Sequence, residues 1–211
     1  MRLYDYAASG NCFKVRLLLS LLGREYERVP VDIFAGETLT PEYAGLNPAR
    51  ETPALELDSG EIVTQSNAIL WYLAEGTPFL PDDPLSRAHV VQWLSFEQER
   101  VMSGIGSARF WTLTGRNPSG IPARFALGES TLAILDAHLE TRDWLVGDRC
   151  SIADVSVFGY THAAPDAGFD LDAHPSLVGW LDRISALPGY VNDFIRYPDN
   201  ARPGRSRSIY D

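Results

Sequence analysis

Between Asn47 and Glu75 the chain reads N-P-A-R-E-T-P-A-L-E-L-D-S-G-E-I-V-T-Q-S-N-A-I-L-W-Y-L-A-E, and few backbones satisfy that order. Thr52-Pro53 opens a strand over Ala54–Leu57, where a proline fits because the first strand position need not donate to a ladder. Asp58-Ser59-Gly60 is a turn signal between two extended runs, so a hairpin is predicted, with Glu61–Val63 as the return strand. Gln65-Ser66-Asn67 then stands ahead of the helical stripe Ile69, Leu70, Tyr72 and Leu73. An X-Pro bond takes the cis form at a cost of only about 0.5–1 kcal/mol. A cis Thr52-Pro53 would leave the Thr52 N–H and C=O free along an edge. The polar helix start offers unpaired N–H groups and a positive dipole end to a carboxylate. Together they suit a small peptide with an acid at one end; the plainer alternative is a hairpin that only packs beneath a helix.

The pattern N-P-x-x-x-[VT]-P, a hairpin, then [EQ]-S-x-A-I-x-x-Y-L resembles the glutathione-binding half of the cytosolic glutathione transferases. The resemblance implies a cis Pro53, backbone pairing of Thr52 with the cysteinyl part of glutathione, and a γ-glutamyl carboxylate held by Gln65 and Ser66. Two positions depart from it. Arg50-Glu51 stands where relatives often carry Gly-Lys, so Arg50 is the candidate for the glycyl carboxylate and Glu51 would repel it. Thr38 stands where many relatives have His or Gln. A pocket lacking one charged contact loses roughly 1.5–3 kcal/mol, tenfold or more in affinity.

Upstream, Arg2–Tyr6 alternates and reads as a strand. Ala7–Asn11 is a small-residue loop. Val15, Leu18, Leu19 and Leu22 form a helical stripe that Gly23 ends, and Tyr26–Val31 is a second strand. Strand, helix and strand within ~30 residues make a βαβ unit. A short helix from Pro41, capped by Thr40, follows. Ser9 lies where the first helix begins. Its hydroxyl, the Asn11 amide and the helix dipole all favour a thiolate over a thiol. Either residue could instead be only a cap, and Cys12 reads as a core-facing small residue. S-G-N-C-F-K-V-R-L-L-L resembles the active-site segment of the serine-type transferases (theta, zeta and related bacterial classes). Ser9 then falls on the catalytic serine and Asn11 on a second thiolate contact. Tyr4 and Tyr6 are placed within the strand, which makes the tyrosine-type classes a poorer match.

Three prolines between Pro78 and Pro84 break any helix there. We expect a thioredoxin-like α/β domain over residues 1–76, a linker over 77–84, an all-α domain over 85–200 and a tail over 201–211 that is a solvated end or, as the family resemblance allows, folds over the pocket. Helical spacing runs over Ala88–Phe110 and Ile121–Leu139, with shorter helices over Leu177–Leu187 and Tyr190–Tyr197. Ser151-x-x-Asp154 is a capping box before the apolar helix Val155–Tyr160. G-D-x-x-S-I-A-D resembles the folding motif of the transferase helical domain. Phe110 and Trp111 are candidates for an apolar co-substrate pocket, or for core. Glu97 and Glu99 read as a solvated helix face, with contact to the γ-glutamyl amine across a dimer as the other possibility.

With 28 acidic against 18 basic residues, the net charge of −10 repels nucleic acid and anionic membranes. No apolar run approaches the ~20 residues of a membrane span, and no signal-peptide pattern opens the chain. Two distant cysteines make no disulfide framework, so a cytoplasmic setting is expected. The four histidines show no metal spacing. The resemblance implies a homodimeric glutathione transferase acting on a small electrophile. A glutathione-dependent disulfide reductase or peroxidase, and a non-catalytic binding protein on the same fold, are its rivals.

Overall fold

The structure, a computed structural model, describes residues 1–211. The βαβ unit forms from strand β1 (Arg2–Asp5), helix α1 (Gly10–Leu21) and strand β2 (Glu27–Pro30). Thr40 caps helix α2 (Pro41–Leu46) by accepting from the Tyr43 N–H, as its position before Pro41 predicts. The hairpin is strands β3 (Ala54–Glu56) and β4 (Ile62–Thr64), the return strand starting one residue later than predicted, and helix α3 (Ser66–Ala74) follows. The sheet order is β2-β1-β3-β4, with β1 parallel to β2 and both hairpin strands antiparallel to their neighbours. β1 stops at Asp5, so Tyr6 leaves the ladder and is not a strand residue.

Helix α4 (Pro84–Phe96) continues through a π-helical stretch, Glu97–Gly106, into helix α5 (Ser107–Thr114). The predicted run over Ala88–Phe110 is therefore one rod with a widened middle. The hydroxyls of Ser103 and Ser107 donate to carbonyls five residues back, at 3.0 and 3.3 Å, which suits the wider turn. Helix α6 (Ile121–Leu139) matches its predicted bounds. Helix α7 (Ile152–Thr161) is fully buried and carries the capping box, with both Ser151–Asp154 bonds made. Helix α8 (Pro175–Ser185) is followed by no further α-helix, only a 3-10 turn over Asp199–Ala201.

The predicted helix over Tyr190–Tyr197 is thus wrong, and tertiary contacts explain why. The Asp193 carboxylate accepts from Arg16 Nε at 2.9 Å and pairs with Arg28 at 3.3 Å. Phe194 packs on Phe13 and His162, and the Ile195 carbonyl accepts from Arg109. A strap without regular secondary structure meets these scattered partners, so tertiary contacts override the helical spacing.

One core runs through both halves. Leu3 and Leu55 of the sheet, Val15 and Leu18 of α1, Ile69 and Leu73 of α3, and Val155 and Phe158 of α7 are buried in a single cluster. The N-termini of α1 and α3 consequently face the π-helical stretch across a gap. No helix of the molecule is long and apolar enough to cross a membrane.

Candidate active site

That gap is a cavity of about 600 Å³. Ser9, Asn11, Thr52, Pro53, Gln65, Ser66, Phe110 and Trp111 all line it. Ser9 is the N-cap of α1, and its Oγ accepts the Cys12 N–H at 3.3 Å. Capping uses the oxygen lone pair and leaves the hydroxyl proton for the cavity, so the cap and active-site readings are compatible. The Asn11 Oδ1 accepts from Lys14 Nζ at 3.0 Å and from Ser66 Oγ at 3.2 Å. Its amide NH2 group is then the part available to a ligand.

At the other end, Thr52-Pro53 is cis. The β1–β3 ladder ends at the Tyr4–Ala54 pair, so Thr52 lies beyond the last rung with its backbone clear of the sheet. Gln65 precedes α3 at φ 68, a left-handed conformation costing roughly 1–3 kcal/mol in a non-glycine residue. The Ser66 side chain is buried at the first turn of α3, facing Asn11. Glu51 also lines the cavity, with its carboxylate 3.5 Å from Gln65 Nε2. The structure does not bring Thr38 or Arg50 to this wall. Thr38 is buried in a 3-10 turn with its hydroxyl unpartnered, and Arg50 is exposed at φ 59.

Family models of the glutathione S-transferase N-terminal and C-terminal domains match residues 8–75 and 128–188. A maleylacetoacetate isomerase of Rhizobium meliloti is 34% identical over 95% of this chain and 97% of its own. A disulfide-bond oxidoreductase of Escherichia coli is 30% identical over 87% of this chain and 89% of its own. The crystal structure of a glutathione S-transferase from Pseudomonas fluorescens superposes with a TM-score of 0.88 at 37% identity, covering 92% and 98% of the two chains. The chain belongs to the glutathione S-transferase family. Its architecture is the thioredoxin-like domain followed by the helical one.

In this transferase the far wall is aromatic. Phe110 and Trp111 line the cavity with Tyr6, Tyr160, Tyr197, Tyr210, Ile33 and Met102. Among all the lining residues Glu51 alone is charged. In the sequence Tyr6 reads as a strand residue, and nothing marks Tyr160, Tyr197 or Tyr210 for a site. Tyr6 is 7% exposed, and its hydroxyl is buried without a partner. Burial pushes its phenol, and that of Tyr160, above the usual range. The Tyr160 ring fills the space where a Cβ on Gly10 would stand, 2.5 Å away, and a Cβ on Gly106 would meet the same ring at 3.1 Å.

The tail is not a free end. Arg116 donates to the carbonyls of Ala201 and Tyr210 at 2.9 and 2.8 Å, to Ser206, and to Asp211 at 3.0 Å. The Arg207 N–H donates to the Phe34 carbonyl. Ser206 and Arg116 hold the Asp211 carboxyl down at about 2. Docked in this way, the tail places Tyr210 in the cavity wall. Cys12 is fully buried, and burial pushes its thiol up to about 12, so it is no nucleophile at neutral pH. The solvated-face reading of Glu97 is overturned: it is fully buried and paired with Lys14 Nζ at 2.6 Å. Glu99 is exposed.

Proposed function

We propose that the protein binds glutathione in this cavity, holds its sulfur as thiolate and directs it at an uncharged, apolar electrophile. The carrying observation is the junction of two surfaces in one cavity. One is polar and donor-rich, from Ser9, Asn11, Thr52, Gln65 and Ser66; the other is aromatic and free of cations. Glutathione would lie with its γ-glutamyl carboxylate at the Gln65-Ser66 start of α3. Its cysteinyl backbone would pair with Thr52. Its sulfur would then sit before α1, where the Ser9 hydroxyl, the Asn11 amide and the helix dipole stabilise negative charge. The thiolate forms the new C–S bond, and the leaving group or carbonyl oxygen takes the displaced electron pair. The protein lowers the thiol pKa and orients the pair, forming no covalent intermediate of its own.

The absence of any cation from the lining supports an uncharged electrophile over a dicarboxylate such as maleylacetoacetate. An unpaired carboxylate buried against aromatic rings is penalised strongly. Two measurements test the reading. The thiolate absorbance of bound glutathione, titrated against pH, should show a thiol pKa well below that of the free peptide, restored by Ser9→Ala; a normal pKa in the wild type sinks it. In addition, kcat/KM for 1-chloro-2,4-dinitrobenzene should exceed that for 4-chloro-3,5-dinitrobenzoate by about tenfold or more, after correction for their uncatalysed rates. Equal values refute the uncharged-substrate reading.

The Asn11 donor and the oxidoreductase relative favour one second reading, reduction of glutathione mixed disulfides. Cys12 is too deeply buried to act as a second thiol, so both sulfurs would come from ligands. Faster turnover of a glutathione–cysteine disulfide than of any aryl chloride would select it. We further take the protein to be a homodimer, which sedimentation as a 23.4 kDa monomer would refute.

A further inference from the structure

Lys14 is at the start of the second turn of α1, and its side chain is fully buried. Its ammonium lies 2.6 Å from Glu97 Oε1, 3.0 Å from Asn11 Oδ1 and 5.5 Å from the centre of the Tyr160 ring. The other Glu97 oxygen accepts from Asn67 Nδ2 at 3.2 Å and Gln98 Nε2 at 2.8 Å. A buried lysine is a costly choice for a helix that also buries Leu17, Leu18 and Leu19, and unlike the buried Arg16, which is paired to Asp5 and Asp193, it is directed toward the cavity-lining Asn11. Its only neutral polar partner is the amide that faces the cavity.

We propose that Lys14 is a positioning residue that fixes which face of the Asn11 amide the bound sulfur meets. The proposal rests on the thiolate reading above. An ammonium group has three donors and no acceptor, so only the amide oxygen can face it. The NH2 group is thereby turned to the opposite side, where it donates to a thiolate. Reversed, the amide would set its oxygen lone pairs against the sulfur and oppose ionisation. Ser66 also donates to the same oxygen, at 3.2 Å. Glutathione competes for that hydroxyl, because its γ-glutamyl carboxylate docks at Ser66. In the loaded site Lys14 is therefore the partner that still holds the amide. Glu97 keeps the ammonium in place from the helical side.

The test is the thiol pKa of bound glutathione in the dimer or monomer as purified, with folding followed by circular dichroism. The paired variant Lys14→Met/Glu97→Gln removes the cation without stranding a buried carboxylate. It should raise the thiol pKa by about one unit, leaving about tenfold less thiolate at a pH below both values. The KM for glutathione should stay within about twofold, since the Ser66 end is untouched. In an Asn11→Ala background the same pair of changes should leave the thiol pKa where Asn11→Ala alone puts it. An unchanged pKa in the first background, or an equal shift in both, overturns the proposal. If the paired variant does not fold, Lys14→Arg and Lys14→Gln decide instead. Arginine offers donors alone and should preserve the pKa, whereas glutamine offers an acceptor too and should raise it; the same value for both refutes the proposal. A wild-type thiol pKa equal to that of free glutathione would instead remove the thiolate reading itself.

Discussion

Replacing Asp154 by alanine removes the carboxylate on which three parts of the helical region converge. Its Oδ1 accepts from the Leu145 N–H and from Trp180 Nε1, both at 2.9 Å. Its Oδ2 accepts from the Ser151 N–H at 2.9 Å and the Ser151 hydroxyl at 3.0 Å. The residue has no exposed surface, so water cannot replace it without rearrangement. The hydroxyl can rotate to another acceptor, but the Leu145 and Trp180 donors cannot. Two stranded donors at about 1–3 kcal/mol each, plus about 1 kcal/mol for the lost capping box, give a loss of about 3–7 kcal/mol. Burial also raises the Asp154 carboxyl above its usual range, the cost of holding a charge there, which places the loss toward the lower end. We expect about 4 kcal/mol, a large share of the 5–15 kcal/mol typical of a folded chain. At 2–4 °C per kcal/mol the melting temperature should fall by about 8–16 °C. Asp154→Asn, which keeps one oxygen but turns an NH2 group on the remaining donors, should lie between wild type and alanine. Urea and thermal melts followed by circular dichroism measure both. A loss under about 1 kcal/mol for alanine, or asparagine as damaging as alanine, would refute the account of Asp154 as a convergent acceptor.

Three further outcomes follow from the site. Glu51→Gln should lower the KM for glutathione about two- to fivefold, because an exposed carboxylate near the ligand acids repels them weakly through solvent; an unchanged KM would show that its charge is not felt. Arg116→Ala should free the tail, seen as faster proteolysis beyond Pro198, and raise the KM for an aryl electrophile while leaving the glutathione thiol pKa alone. A protease-resistant tail would show that Arg116 does not hold it. His162 packs against Phe13 and Phe158 with Nδ1 2.8 Å from the Phe158 carbonyl, and burial lowers its pKa to about 4. The unfolded chain takes up that proton near pH 6.5 and the folded chain only near 4, so this part of the stability is present above 6.5 and lost as pH falls toward 4. The loss is at most about 3.5 kcal/mol, and a His162→Phe variant whose stability falls as steeply over that window would contradict it.

Much of the first half was legible because its elements are punctuated by residues with one conformational use. Thr40-Pro41, Thr52-Pro53 and Asp58-Ser59-Gly60 each mark a boundary within a residue or so of the observed one. Ser9, Asn11, Gln65 and Ser66 were legible because helix N-termini need polar starts. The strap over Tyr190–Tyr197 was not, since its conformation is set by Arg16, Arg28 and Arg109 from distant sequence. Glu97 reads as a surface charge because periodicity cannot show that a lysine 83 positions earlier is waiting for it. The tyrosines of the aromatic wall carry no local signal; Tyr210 reaches the cavity only through the hold of Arg116 on the tail.

The Tyr160 ring lies close against both Gly10 of the thioredoxin-like domain and Gly106 of the π-helical stretch, and so helps to set the spacing between the two halves. That has a consequence for anyone who would shuffle domains among these transferases. A chimera joining this thioredoxin-like half to a foreign helical half inherits the slot at Gly10 and must find a ring of the right size to fill it. Too small a residue leaves a void between the halves; a side chain at position 10 opposite an intact tyrosine forces them apart. Compatibility between halves would then be decided at this three-residue stack before overall identity matters, and libraries that recombine the halves should vary positions 10, 106 and 160 together.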